Sequence, residues 1–452
     1  MTPMTLDSVA AATGARHEGA GAGPALAGVV TDTRSIVPGC LFVALVGERF
    51  DGHDFVVEAQ RRGAAAVLVE RPCAGTLPTL TCSDTRLALG LLARHWRHHF
   101  TAPLVGVTGN SGKTTVKELV AALLAPLGPV HATRGNLNNA IGAPLTLLAL
   151  ESRHRAAVVE LGASHCGEIA WTTRLAVPRV AVITNVTGAH VGEFGGLGHI
   201  AQAKSEILQG LPADGVAVLN RDDVYFAFWA ACAEPRRVMS FGLHPEADVG
   251  ARALSCDARG RYAFTLTVNG EAAGQVRLGL AGEHNVSNAL AAAAAALSLG
   301  MSASDVVDGL CCAESLAGRL AVLPGVRDGT LLDDSYNANP GAVKAALDTL
   351  ARFPAPRWCV LGAMGELGEA SDRLHADVGR HAADLGLDAL YTLGEATRPA
   401  SAAFGDGLHF NDYAALEAHL QDALPNGTSL LVKGSRSAGM ERLVAALRTD
   451  QS

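Results

Sequence analysis

Leu104-Val-Gly-Val-Thr-Gly-Asn-Ser-Gly-Lys-Thr-Thr115 runs from a short apolar stretch into a glycine-bearing turn, then into a segment where Val116, Leu119, Val120 and Leu123 recur at helical spacing. Strand, turn and helix in that order set backbone N–H groups and a helix N-terminus around one point, which is how proteins hold phosphate oxygens. Lys113 is placed to neutralise β- and γ-phosphate charge and Thr114 to reach Mg²⁺, with Gly109, Asn110, Ser111, Gly112 and Thr115 completing a nucleotide-binding loop. The longer P-loop pattern has a glycine where this chain has Val107, so the match is to a shorter G-x-x-G-K-T-T form.

Working outward, Ala157-Val-Val-Glu160 and Val180-Ala-Val-Ile-Thr184 are apolar on successive residues, as strands covered on both faces are. The alternation restarts near residue 318, with strands at Leu331-Leu-Asp333, Trp358-Cys-Val-Leu361, Ala389-Leu-Tyr-Thr-Leu393 and Ser429-Leu-Leu-Val432. Helical stretches near 341–352, 371–385, 412–423 and 438–448 separate or follow them. The expected fold class is α/β with three domains. Residues 1–100 form a small mixed unit, 101–316 a P-loop ATPase-like parallel sheet domain, and 317–452 a Rossmann-like doubly wound domain.

The 452 residues are 49% hydrophobic, enough for several buried cores, and exclude disorder for most of the chain. With 36 Lys+Arg against 44 Asp+Glu the net charge is −8, so polyanions are not held by bulk attraction and nucleic acid is not an expected partner. Nine cysteines without framework spacing read as buried free thiols in a reducing cytosol. No secretory leader pattern opens the chain and no run reaches the roughly 20 apolar residues of a membrane span, so a soluble cytoplasmic protein is expected. Nothing predicts an oligomer, and a monomer is the expectation.

Phosphoryl chemistry on an acidic chain needs cations, and cations need oxygen ligands at strand ends. Glu160 closes its strand beside the loop, His190 lies in a Gly-rich loop, and Lys204 lies on a helical stretch where a solvated lysine is the ordinary reading. Guanine readers carry N-K-x-D; Asn220-Arg-Asp-Asp223 replaces the lysine and reads as a strand-end turn.

Together these blocks resemble the Mur ligase family nearly end to end. The resemblance is carried by the short ATP loop, Asn136-Leu-Asn-Asn-Ala-Ile-Gly-Ala-Pro144, Glu160-Leu-Gly-Ala163, the stretch from Asn185 through His190 to Lys204, and Gly282-Glu-His-Asn-Val-Ser-Asn288. It extends to Gly318-Arg-Leu320, Asp333-Asp-Ser-Tyr-Asn-Ala-Asn-Pro340, Lys433-Gly-Ser-Arg436 and, at the N-terminus, Asp32-Thr-Arg-Ser35 with Asp51-Gly-His-Asp54. The block Leu361-Gly-Ala-Met-Gly-Glu-Leu-Gly368 departs from the family, which often carries an acid where Ala363 stands.

The resemblance implies that Thr114 and Glu160 hold one Mg²⁺, with His190 and a CO₂-derived carbamate on Lys204 near a second. It also implies Asn285 and Asn288 near adenine, with a helix cap as the alternative for Asn285. Arg319 would face the transferring phosphate or form an interdomain salt bridge; Asp334 would accept ribose hydroxyls or cap a helix; Asn337 falls in the same nucleotide-binding group. Substrate contacts are implied for Thr33, Arg34, Ser35, Asn138, Asn139, Ser435 and Arg436.

The implied activity is ATP-dependent amide synthesis joining D-alanyl-D-alanine to UDP-N-acetylmuramoyl-tripeptide through an acyl phosphate. The D-S-Y-N-A-N-P string and the lack of D-N-P-R favour this over the family member that adds a third amino acid. Folylpolyglutamate synthesis and a nucleotide-binding switch are the other rivals.

Overall fold

The computed structural model describes residues 4–18, 25–187 and 196–449, and among these the strands form three sheets. The N-terminal sheet contains β1 (Arg16–Glu18), β2 (Val29–Val30), β3 (Leu41–Val43), β4 (Ala66–Val69) and β5 (Thr79–Thr81) in the order β1-β5-β4-β3-β2. It is parallel except where β1 meets β5.

The central sheet contains β6 (Leu104–Thr108), β7 (Val130–Ala132), β8 (Ala156–Glu160), β9 (Val180–Ile183), β10 (Val216–Asn220), β11 (Arg237–Phe241), β12 (Val249–Cys256), β13 (Arg261–Val268) and β14 (Glu271–Ala281). Their order is β14-β13-β12-β11-β10-β9-β6-β8-β7. Every residue of β6, β8, β9 and β10 is buried, as continuous apolar runs require. Helices Lys113–Leu124 and His284–Ser298 share the core on one face, Ala289 and the alanines 291–296 allowing the second to lie close. Ile169, Leu175 and Trp229 fill the other face.

The C-terminal sheet orders β15 (Ala321–Pro324), β16 (Thr330–Asp334), β17 (Arg357–Gly362), β18 (Ala389–Leu393), β19 (Leu408–Phe410) and β20 (Ser429–Lys433) as β15-β16-β20-β17-β18-β19. All neighbours are parallel except the edge pair β15 and β16. The carboxyl ends of β16, β20 and β17 therefore stand side by side, where open α/β sheets bind ligands.

The central sheet runs on beyond its expected parallel part, and one expectation, the burial of the thiols, needs correction. The central sheet is not parallel throughout, since β12, β13 and β14 extend it as an antiparallel meander. One face of this extension is left partly exposed, so β13 alternates in burial. The thiols are all free, but only Cys40 and Cys359 are buried; Cys166, Cys232, Cys256, Cys311 and Cys312 are exposed.

The helix Thr85–His98 fastens the first unit to the second. A Cβ on Gly90 would lie 2.3 Å from the Trp171 ring, so only glycine permits the contact. Trp96 Nε1 donates to the Leu150 carbonyl at 3.0 Å, and the Arg97 guanidinium donates to the carbonyls of Ala176 and Val177 at 2.7 and 3.1 Å.

Candidate active site

β6 delivers the chain to the loop at Thr108, whose hydroxyl donates to the Leu161 carbonyl at 2.7 Å. Gly112 then adopts φ 80°, and a Cβ there would lie 2.2 Å from Asn288 Oδ1. The position admits glycine alone, and it sets Asn288 against the turn. The opposite wall comes from the end of β9. Thr184 Oγ1 donates to the Ser111 carbonyl at 2.6 Å, while the Ser111 N–H donates to Asn185 Oδ1 at 3.0 Å. Neither Thr184 nor the Asn185 side chain had been given a role from sequence; the polar pair closing an apolar strand was the available signal.

Lys113 opens the following helix, and its ammonium donates to the carbonyls of Gly109 and Asn110 at 3.0 and 3.2 Å. Desolvation holds its pKa below the usual lysine range; Glu160 and Glu366 oppose that shift, and Arg319 adds to it. Thr115 is buried in the first turn of the helix.

Glu160, 3% exposed, is the last residue of β8. Thr114 Oγ1 donates to its Oε2 at 3.0 Å and Asn138 Nδ2 to its Oε1 at 2.8 Å. Arg319, arriving from the C-terminal unit, donates through Nη2 to Thr114 Oγ1 at 2.9 Å. One hydroxyl thus donates a hydrogen bond to a carboxylate and accepts one from a guanidinium. The Arg319 guanidinium stacks on Tyr336, 4.2 Å from the ring centroid, and Arg436 faces the same ring at 5.7 Å. No salt bridge involves Arg319 among the described residues, so the ion-pair alternative is not what the structure shows. Tyr336 was missed because no local pattern marks a ring shared by two distant arginines.

Lys204 is buried on the helix Leu197–Ser205. Burial and the charge of Lys113 bring its pKa down to about 7, against the opposing pull of Glu206 and Glu168. Glu206 in turn accepts from the N–H groups of Gly167 and Ala170 at 2.7 and 2.9 Å, holding the start of the helix Glu168–Ala176. His190 lies outside the described residues. No group of three or more His, Cys, Asp or Glu side chains suited to a metal occurs among the described residues.

Across the seam, Asp334 accepts from the Leu320 N–H at 3.2 Å and pairs with the buried Lys433 ammonium, which also donates to the Asn337 carbonyl at 3.0 Å. Both Asp334 oxygens are engaged within the C-terminal unit, and Asp334 caps no helix. That role falls to Asn339, whose Oδ1 accepts from the Ala342 N–H at 2.8 Å while its Nδ2 donates to Ser111 Oγ at 3.2 Å. Sequence reading named Asn337 and passed over Asn339; Asn337 Oδ1 turns to the adjacent Ala338 N–H at 2.9 Å.

Asn285 is not a helix cap. Glu283 occupies that position, and Asn285 Nδ2 reaches back to the Ala281 carbonyl at 2.7 Å while its Oδ1 accepts from Asn288 at 2.8 Å. Asn139 Oδ1 accepts from the Gly142 N–H at 2.8 Å and thereby steadies the start of the helix Gly142–Leu148. Ser435 is buried with its N–H on the Ala363 carbonyl at 2.8 Å, and Arg436 leans to Glu441 at 3.4 Å. Thr33, Arg34 and Ser35 form a short turn capped by Asp32, with Arg34 85% exposed on its side chain. No hydrogen bond or ion pair joins that turn to the nucleotide loop among the described residues.

Comparison with known proteins places family descriptions on all three sheets. Residues 25–97 match a Mur ligase family catalytic domain, 107–296 the Mur ligase middle domain, and 318–436 the Mur ligase glutamate ligase domain. The chain is 44% identical over 431 residues to UDP-N-acetylmuramoyl-tripeptide–D-alanyl-D-alanine ligase of Escherichia coli K12, covering 95% of each. Among solved structures, MurF from Acinetobacter baumannii superposes with a TM-score of 0.92 at 38% identity, covering 98% of each chain. MurF ligase from Thermotoga maritima in complex with ADP gives 0.83 at 30% identity, covering 92% of this chain and 96% of that one.

Proposed function

Because the chain belongs to the Mur ligase family, we propose that it joins D-alanyl-D-alanine to UDP-N-acetylmuramoyl-tripeptide, driven by ATP, in peptidoglycan precursor synthesis. The observation that carries the reading is the Thr114 hydroxyl, held between a strand-end carboxylate and a guanidinium from the facing unit. The names of the relatives favour this over third-residue addition, folate glutamylation or a nucleotide switch.

The reaction begins with attack of the tripeptide's terminal carboxylate on the γ-phosphate of ATP, giving an acyl phosphate and ADP. The dipeptide amine then attacks the acyl carbon, and phosphate leaves. With the Asn110 and Ser111 N–H groups engaged by Asn185, the N–H groups of residues 112–115 at the helix N-terminus hold the phosphate oxygens, and Lys113 shifts from its own loop carbonyls to the phosphates. Asn285 and Asn288 border the adenine side, and Asp334 and Asn337 line the opposite face. Arg319 stabilises charge on the phosphoryl group in flight, its plane fixed by Tyr336. Closure of the C-terminal unit excludes water that would hydrolyse the acyl phosphate.

The donor set suits Mg²⁺, since Glu160 is a buried carboxylate whose oxygens are met only by neutral donors among the described residues. Mg²⁺, when bound, screens the repulsion between the phosphates and the incoming carboxylate. Thr114 and Glu160 would hold one ion, His190 and a Lys204 carbamate a second. An amine with a pKa near 7 is neutral often enough to capture CO₂, and the carbamate replaces a cation by an oxygen ligand. A ¹³C-bicarbonate carbamate resonance absent from Lys204→Met tests that assignment.

Residues 1–100, 101–316 and 317–452 are assigned as three domains. Thr33, Arg34 and Ser35 contact the UDP moiety, Asn138 and Asn139 border the substrate, and Ser435 and Arg436 grip the dipeptide carboxylate or the acyl phosphate. The deciding assay follows ADP and phosphate release with UDP-N-acetylmuramoyl-tripeptide and D-alanyl-D-alanine. Release that is equal without the dipeptide overturns the reading.

A further inference from the structure

The edge of the central sheet carries a departure from regular pairing directly behind Glu160. Strand β7 pairs with β8 in parallel register through Ala132 and Val158, and the Thr133 N–H continues the ladder to the Val158 carbonyl at 3.1 Å. Regular parallel pairing would bring the Glu160 N–H to the Thr133 carbonyl next. That carbonyl instead accepts from the ammonium of Lys117 at 2.6 Å, and the Glu160 N–H donates to the Thr133 hydroxyl at 2.9 Å. Lys117 is 1% exposed, stands one turn beyond Lys113 on the loop's own helix, and also meets Glu118 at 2.8 Å.

The exchange has a directional effect. With its carbonyl drawn toward the helix, the chain leaves the sheet at Thr133 and enters the segment that carries Asn138. Asn138 then donates to Glu160 Oε1, and its own carbonyl accepts the Gly162 N–H at 2.8 Å, just past Glu160. A buried lysine with no part in the phosphate loop thus fixes both the backbone of the carboxylate and the amide that orients it.

The geometry points to Lys117 and Thr133 as positioning residues that aim the Glu160 carboxylate and Asn138 at the metal position beside Thr114. The inference rests on the proposed function for the metal's role, but its geometry stands apart from the substrate. Groups behind a metal ligand change metal affinity by about 10–100-fold when lost.

The test titrates the full-length protein with Mn²⁺ in the presence of ADP and reads free Mn²⁺ by electron paramagnetic resonance. Thr133→Val removes only the hydroxyl acceptor, and its half-saturating Mn²⁺ concentration rises about tenfold, while Thr133→Ser restores parental binding. Lys117→Met shifts binding the same way; should it fail to fold, the Thr133 pair decides. In ligation assays Thr133→Val lowers kcat and leaves KM for the UDP-linked tripeptide unchanged. Thr133→Val that folds, by circular dichroism, and binds Mn²⁺ as the parent does overturns the inference. A parent that makes no amide, together with the shifted Mn²⁺ binding, overturns the functional reading alone and supports the positioning role.

Discussion

Glu160 and Asp334 both end a parallel strand at the seam between the central and C-terminal sheets, yet their surroundings are opposite. Glu160 is met by a hydroxyl and an amide, so its charge is solvated by neutral dipoles and stays available to a cation. Asp334 is already neutralised by a buried lysine from the adjacent strand. Two carboxylates at equivalent sheet positions thus differ in what they can still do: the first can bind, the second braces.

Removing divalent cations with EDTA should break the contrast most visibly, abolishing ligation while leaving the thermal unfolding midpoint nearly unmoved. If the midpoint collapses, the metal is structural and the distinction fails. Glu160→Gln keeps the shape of the side chain and loses its charge; kcat should fall about 100–1,000-fold, the scale of losing one preorganised electrostatic contact. Steady-state kinetics beside a melting curve separates that loss from unfolding.

Asp334→Asn should show the reverse pattern. Leaving Lys433 buried without its counter-charge costs about 3–5 kcal/mol of stability, and pairing the change with Lys433→Met should recover much of it. Urea unfolding of the single and double variants measures both, and a single variant as stable as the parent would move Asp334 to the binding side.

The smallest effect is expected from pH. His375 is buried, its Nε2 accepting from the Met364 N–H at 3.1 Å, and burial holds its pKa below the ordinary 6.5. The unfolded chain therefore takes up this proton first. The stabilising contribution is complete above 6.5 and declines as pH drops below it, a decline that His375→Gln should lessen in melting curves.

Much of this is legible in the sequence. The strands flanking the site are unbroken apolar runs, which need cover on both faces and so announce a wrapped parallel sheet. Glu160 was readable because an acid closing such a run must emerge at the sheet's carboxyl edge. The meander from β12 to β14 escaped notice although Arg261-Tyr-Ala-Phe-Thr-Leu-Thr-Val268 alternates and Asn269-Gly270 marks a hairpin turn with positive φ at both residues. Tyr336, Asn339 and Thr133 were out of reach for another reason. Each acts through a partner far away in the chain or through a carbonyl turned out of register, and neither leaves a trace in local composition.

The amide of Asn339 on the Ser111 hydroxyl has a practical implication. The C-terminal unit touches the turn that must receive the nucleotide through a side chain that belongs to neither reactant. An inhibitor lodged between those two groups would jam the enzyme at its joint, with no need to imitate adenosine or a sugar.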